Sequence, residues 1–370
     1  MASSKYDTAP VGEADGPLQP AAVKCSPGLS GWLARHNTSI AFSSYQAGQL
    51  FLVGRFPDGT ISLYRRDFGR AMGLWSEPGR LYLGSALKIW RFENVLGPNE
   101  RANQHFDALY VPRTAHITGD VDIHEMVVEA DGRLVFAATR YSCLATLSAT
   151  HALKPIWKPP FVSHLTKDDR CHLNGVGLEN GIARYVTACG RTDTAEGWRA
   201  ARRGGGVLIR LEDGAVVADD LSMPHSPRVH DGMVYLLDSG RGFLIRVDPA
   251  TGRREDVAFC PGFLRGLAIY DGYALATLSL PRSQVFEGLP LQEALEARSE
   301  APRCGLAIIH LASGRIEEWI WFDTHIREMF DVAVIPGVAC PMAAPQQGAE
   351  LANLVTLEAG ELGPEQLVRR

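Results

Sequence analysis

The chain is short of the features that would fix its class at a glance. Its 370 residues carry 37 Lys+Arg against 42 Asp+Glu, a net charge of −5. The basic residues never gather into a run, which argues against nucleic acid or a membrane surface as partner, since both need a basic field. No stretch approaches the roughly 18–20 consecutive apolar residues of a membrane span, and MASSKYDTAPVGEADGPLQPAA has no apolar core of a secretion signal, so a cytoplasmic protein is expected. The cysteines (Cys25, Cys143, Cys171, Cys189, Cys260, Cys304 and Cys340) are scattered without Cys-x-x-Cys spacing. Neither a disulfide framework nor a zinc knuckle is expected, and most should be buried thiols. Helical patterning is scarce, with LPLQEALEARSE (289–300), TAEGWRAARR (194–203) and AELANLVTLEAGEL (349–362) as the best candidates.

What the chain has instead is short strands, repeated. DRCHLNGVGLENGIARYVTACG (169–190) puts His172 and Asn174 before an apolar strand, a turn and a second strand. The same layout opens at Met72, His124, His225 and Arg265. A recurrence every ~40–50 residues with four short strands per unit is the pattern of propeller blades. TSIAFSS, QLFLVGRF and ISLYRRDF supply three strands of one more blade, and MFDVAVIPG (329–337) can supply its missing inner strand. Pairing the two ends removes the sheet edges that an open array leaves. The expected fold is all-β, a six-bladed β-propeller over residues 29–338 with N- and C-terminal strands closing one blade. Residues 1–28 read as a disordered tail, residues 339–370 as a C-terminal tail, and the 281–303 insertion as a lid or surface decoration.

Registering the repeats by their turn glycines places Met72, Glu125, Asn174, His225 and Arg265 six residues before the residue preceding the glycine, with Asp331 opening the closing strand. Inner strands line the central channel, so these positions should form a ring about the axis. Five of the six are polar where a core would take Val, Ile or Leu. Glu125, Asn174, His225 and Asp331 make a candidate metal set: the oxygens suit calcium or magnesium, and imidazole suits manganese, iron or zinc. His124, Glu125, His172 and His225 are candidate acid–base groups. Arg265 suits a substrate carboxylate or phosphate, with Arg228, Ser226 and Trp198 as further substrate contacts. Cys143 near His172 is a weaker nucleophile pair without an orienting third group, and the glycines at 204–206 are no P-loop, since no Lys-Ser/Thr follows them.

The strings DIHE, TRYSCLATL, KPPFVS, DRCHLNGVG, SMPHSPR, PGFLRGL and FDV resemble a bacterial family of conserved hypothetical propeller proteins, over roughly residues 29–340. The resemblance implies the fold and brings no activity. More distantly, NGVGLENG and the Glu, Asn and Asp positions look like the gluconolactonase group, in which such a ring holds a divalent cation that activates an ester or lactone. His225 stands where that group would have Asn. Together these observations lead to the expectation of an enzyme acting on a small anionic molecule in the channel, metal-assisted and hydrolase- or lyase-like. Two alternatives stand beside it: a metal-free His/Glu lyase, cyclase or isomerase, as strictosidine-synthase-like propellers can host, and a non-catalytic binding propeller.

Overall fold

A computed structural model describes residues 23–358 of the chain. The short apolar strands pair into six sheets, each built around four antiparallel strands in sequence order. The first blade joins Val332–Pro336 to Thr38–Ser44, Gln49–Arg55 and Ile61–Asp67. Its register runs from Thr38 opposite Pro336 to Phe42 opposite Val332, so the two ends of the propeller close the ring as expected. The inner strands of the second to sixth blades are Leu74–Glu77, Ile123–Val128, Leu173–Glu179, Pro224–His230 and Phe263–Tyr270.

All seven residues of Thr38–Ser44 are buried, because this strand is covered on both faces by neighbouring blades. The core accordingly lies between blades. Phe42 stacks on Phe51 at 5.0 Å, and both meet the edge of Phe322 from the sixth blade at 6.0 and 5.5 Å. Trp32 and Leu33, on the helix Leu29–Arg35, join that same cluster. Offset and edge-on aromatic pairs of this kind add about 0.5–1.5 kcal/mol each beyond the area they bury.

Both expected tails need correction. Residues 1–22 of the proposed N-terminal tail lie outside the described residues, but Val23–Cys25 pairs antiparallel with Arg315–Phe322 as a fifth strand of the sixth blade. The Ser26 hydroxyl then donates to buried Glu318. Apolar Val23 and Cys25 flank Lys24, whose ammonium reaches Asp323 at 2.6 Å; this alternation suits a half-buried edge and was hidden by the Pro/Ala/Ser-rich context. A chain beginning at Gly28 is therefore expected to be about 1–3 kcal/mol less stable than one beginning at Val23, since Glu318 loses a buried hydrogen bond. Urea melts agreeing within about 0.5 kcal/mol would show that the edge strand contributes nothing.

At the other end, Pro341–Ala343 runs parallel to Ala108–Ile117 as a fifth strand of the second blade, so the propeller sheets continue past residue 338. Ala349–Ala352 is a short helix whose Glu350 pairs with buried Arg66 at 2.9 Å. Residues 359–370 lie outside the described residues. The 281–303 insertion contains the helix Pro290–Arg298, started by proline at its first turn. Leu291 and Leu295 pack with Phe263, Phe286 and Leu289, which fixes the insertion over one mouth of the channel.

Candidate functional site

The expected ring is real in direction but splits into two layers. Asp122, His172 and Met223 share a left-handed backbone conformation, with φ of 58°, 50° and 49°, and each stands two residues before His124, Asn174 and His225. His124, not Glu125, is therefore the equivalent of Asn174 and His225. The miscount has a physical cause. The fourth, fifth and sixth blades turn through two residues, with Glu179 paired to Ile182, His230 to Met233 and Tyr270 to Tyr273. The third turns through a longer loop, in which Val128 pairs with Leu134 and the Glu129 N–H bonds the Arg133 carbonyl.

The deeper layer is structural. Glu125 accepts the Val176 N–H on Oε2 at 2.8 Å and forms an ion pair through Oε1 with Arg228. Asp331 accepts the Leu74 N–H at 2.7 Å and the Val332 N–H at 2.8 Å. Both carboxylates thus reach to the inner strand of the following blade. Ser226 does likewise, its hydroxyl donating to the Arg265 carbonyl at 3.0 Å. Glycine at these points allows the approach: a Cβ on Gly266 would lie 2.5 Å from the Asp331 Cα, and one on Gly175 would lie 2.9 Å from the Ser226 nitrogen. Burial first, and then the neighbouring Glu125, push the Asp331 carboxyl up to about 8.

This arrangement corrects the expected metal set. The oxygens of Glu125 and Asp331 are committed to backbone N–H groups and to Arg228. Asn174 accepts from Thr187 at 2.7 Å and donates to Cys189 Sγ at 3.3 Å. Among the described residues no three His, Cys, Asp or Glu side chains are grouped to hold a metal ion. The donors do not fit the expected cation, and no step is derived through one. Arg228, tied to Glu125 and to the Val176 and Pro227 carbonyls, is likewise removed from the substrate contacts, as is Ser226. Cys143 and Cys171 are fully buried, and burial pushes both thiols up to about 12, which disfavours a thiolate at neutral pH.

The upper layer brings three imidazoles together. The His124 ring lies 4.7 Å from His172 and 6.4 Å from His225, with Phe330 5.2 Å away. The partners of the rings decide which Nδ1 atoms carry a hydrogen. His225 Nδ1 faces the Met223 carbonyl at 2.9 Å and Ser239 Oγ at 3.0 Å; a carbonyl only accepts, so Nδ1 carries the hydrogen. His124 Nδ1 faces the Asp122 carbonyl at 3.2 Å and Thr139 Oγ1 at 3.0 Å, and the Thr139 hydroxyl donates to the Leu173 carbonyl. His172 Nδ1 donates to Asp169 Oδ2 at 2.8 Å, the same oxygen that receives the Trp198 indole N–H at 3.0 Å. On His124 and His225 this leaves Nε2 as the proton-accepting nitrogen. On His225, 4% exposed, Nε2 is buried and has no partner among the described residues.

Arg265 stands beside them on the sixth inner strand. Its guanidinium lies over Phe263 at 5.0 Å and Phe330 at 5.4 Å, and its buried Nε meets no acceptor among the described residues. Burial, followed by the charge of Arg282, lowers it to about 10, so it remains a cation at neutral pH. Burial pushes His124 down to about 4, with Asp122 opposing and His172 and Arg265 assisting. Burial and the Arg265 charge hold His225 well below the usual histidine range. Both rings are neutral at pH 7.

A cavity of about 280 Å³ opens above Arg265, walled by Trp198, Met223, Phe263 and Phe286. Trp198 lies 4.2 Å from the His172 ring. Sequence reasoning missed Phe263 and Phe330 because apolar residues read as core. It also missed the hydroxyls that hold the inner strands, although Ser43, Thr139, Thr187, Ser239 and Thr277 recur in or just after second strands: Thr139 and Ser239 meet the His124 and His225 rings, Thr187 meets Asn174, and Ser43 and Thr277 meet inner-strand backbone.

A family described as "Domain of unknown function (DUF4915)" matches residues 27–344. No curated protein matches in sequence. Among solved structures, a chain of the nidogen/laminin complex is 13% identical with a TM-score of 0.53, covering 81% of this chain and 99% of that one. A protein of unknown function from Bacteroides caccae is 10% identical (TM-score 0.48, covering 81% and 99%), and a streptogramin B lyase is 11% identical (TM-score 0.44, covering 80% and 89%). At 13% identity the first of these likenesses speaks to the fold alone.

Proposed function

The chain belongs to the DUF4915 family, a domain of unknown function, and from that premise we propose that its funnel is the active site of an enzyme that moves a proton on a small anionic molecule, as a lyase or isomerase does. One observation carries the reading: a buried, neutral His225 with a bare Nε2 stands in the same layer as Arg265, a cation without a carboxylate partner among the described residues. A substrate carboxylate would pair with Arg265, whose fork suits it in bidentate geometry. His225 Nε2 would take the proton from the adjoining carbon, and Arg265 would hold the negative charge that develops on the carboxylate. Return of the proton at another atom gives isomerisation; loss of a leaving group from the next carbon gives elimination. His172, oriented by Asp169, is placed to act as the second proton carrier.

The test is hydrogen exchange from the α-carbon of small carboxylic and hydroxy acids in deuterium oxide, followed by proton NMR. The wild-type protein should catalyse exchange on at least one such acid. His225→Asn should slow it at least about 100-fold without weakening binding as much, because a general base commonly contributes 10²–10⁴. Arg265→Gln should weaken acid binding about tenfold or more. Acids that bind through Arg265 but never exchange or turn over would make this a binding propeller instead.

A further inference from the structure

Four guanidiniums line the funnel cavity: Arg199, Arg202, Arg265 and Arg282. Two are already neutralised. Arg199 meets Glu196 at 2.9 Å and lies over Trp198 at 4.6 Å, while Arg282 holds Glu328 through Nε and Nη2 at 3.0 and 2.9 Å. Arg265 and Arg202 are different. Neither guanidinium makes a hydrogen bond or ion pair among the described residues, and Glu287, exposed at the rim, pairs with neither.

The two free cations sit on separate elements at separate depths. Arg265 belongs to the inner strand Phe263–Tyr270, against Phe263 and Phe330. Arg202 follows the short helix Trp198–Ala201, and its guanidinium lies against the insertion at Gly288, where a Cβ would come within 2.5 Å of Nη2. The lining they share is mixed, with Met223, Phe263, Leu280 and Phe286 as apolar members beside Ser279 and Ser283. The cavity has room for on the order of ten waters, enough for a metabolite body between two charged ends.

Resting on the anion-binding reading above, we propose that the ligand class is a separated dianion: one anionic group on Arg265 at the floor, a second on Arg202 at the rim, and an apolar body between. Arg202 is then a specificity-determining residue, which favours acids with a second charge by supplying a partner that monoanions leave idle. The 281–303 insertion takes part in recognition by holding Arg202 in place.

The probes are straight-chain α,ω-dicarboxylates of four to eight carbons, the matching monocarboxylates, and inorganic phosphate, titrated against the full chain and followed by Trp198 fluorescence and calorimetry. At least one dicarboxylate should bind about tenfold or more tighter than the monocarboxylate of equal length. Arg202→Gln should abolish that advantage while leaving monocarboxylate affinity within about twofold. Arg265→Gln should weaken both series. Equal affinity of mono- and dicarboxylates with Arg265 still required would overturn the dianion proposal and leave the anion site standing. Indifference of both series to Arg265→Gln, or no binding at all, would overturn the anion site itself and the dianion proposal with it. Tight inorganic phosphate binding that needs both arginines would replace the separated dianion by a single group bridging them.

Discussion

Glu125→Ala should lower the free energy of unfolding by about 3–5 kcal/mol, the usual loss when one partner of a buried ion pair is removed. The side chain is 2% exposed, and its loss leaves half-buried Arg228 without a carboxylate and the Val176 N–H without an acceptor. Glu125→Gln keeps an acceptor for Val176 and loses only the charge, so it should cost less, about 1–3 kcal/mol. Urea unfolding of the two variants at pH 7 measures both. A cost within about 1 kcal/mol for Glu125→Ala would show that this carboxylate does not tie the third blade to the fourth and would return it to the functional residues.

Stability should peak near pH 6.5 and fall on both sides. Folded His124, with its proton affinity pushed down to about 4, and folded His225, also held well below the usual histidine range, stay neutral where unfolded histidines bind a proton. Their contribution is complete above about pH 6.5 and is lost as the pH falls below it, at up to about 1.4 kcal/mol per pH unit per ring. Asp331 acts the other way. Its carboxyl, raised to about 8, keeps a proton that the unfolded chain releases near pH 4, so stability declines as the pH rises between those values. Below pH 6.5 the two rings outweigh the one carboxyl, and between 6.5 and 8 the carboxyl acts alone. His225→Asn should flatten the acid limb by about one proton and leave the alkaline limb unchanged. A urea midpoint that rises steadily from pH 5 to 9 would mean that Asp331 is ionised in the fold.

The architecture was legible because a repeated hairpin announces itself several times over. Each unit alternates apolar residues about a turn glycine, and MFDVAVIPG could only complete the blade that lacked an inner strand. The edge strands Val23–Cys25 and Pro341–Ala343 were not legible: three residues are too few for a period, and their pairing is decided by neighbours far along the chain. The candidate site was legible in direction but not in depth. The longer turn at Asp131–Gly132 displaced the count by one residue, and on an inner strand one residue exchanges a side chain of the funnel for one of the blade junctions. Glu125 thus read as a ligand, and so did Asp331, placed by the start of the closing strand, although each is held by a backbone N–H of the next blade. His124, His172 and His225 were named from the sequence; the acceptors on their Nδ1 atoms, which decide what the rings can do, became visible only in three dimensions.

The closing strand also governs the protein's birth. Asp331 and Ser43, hydrogen-bonded in the finished ring, are 288 residues apart in the chain. At ribosomal rates of about 5–20 residues per second, roughly 15–60 s pass between the emergence of Thr38–Ser44 and that of its partner. Throughout that interval a strand that ends wholly buried presents a free edge, and such an edge is a template for any other nascent copy. The greatest danger of misassembly therefore falls during translation, in the polysome, before the last strand has arrived to shut the circle.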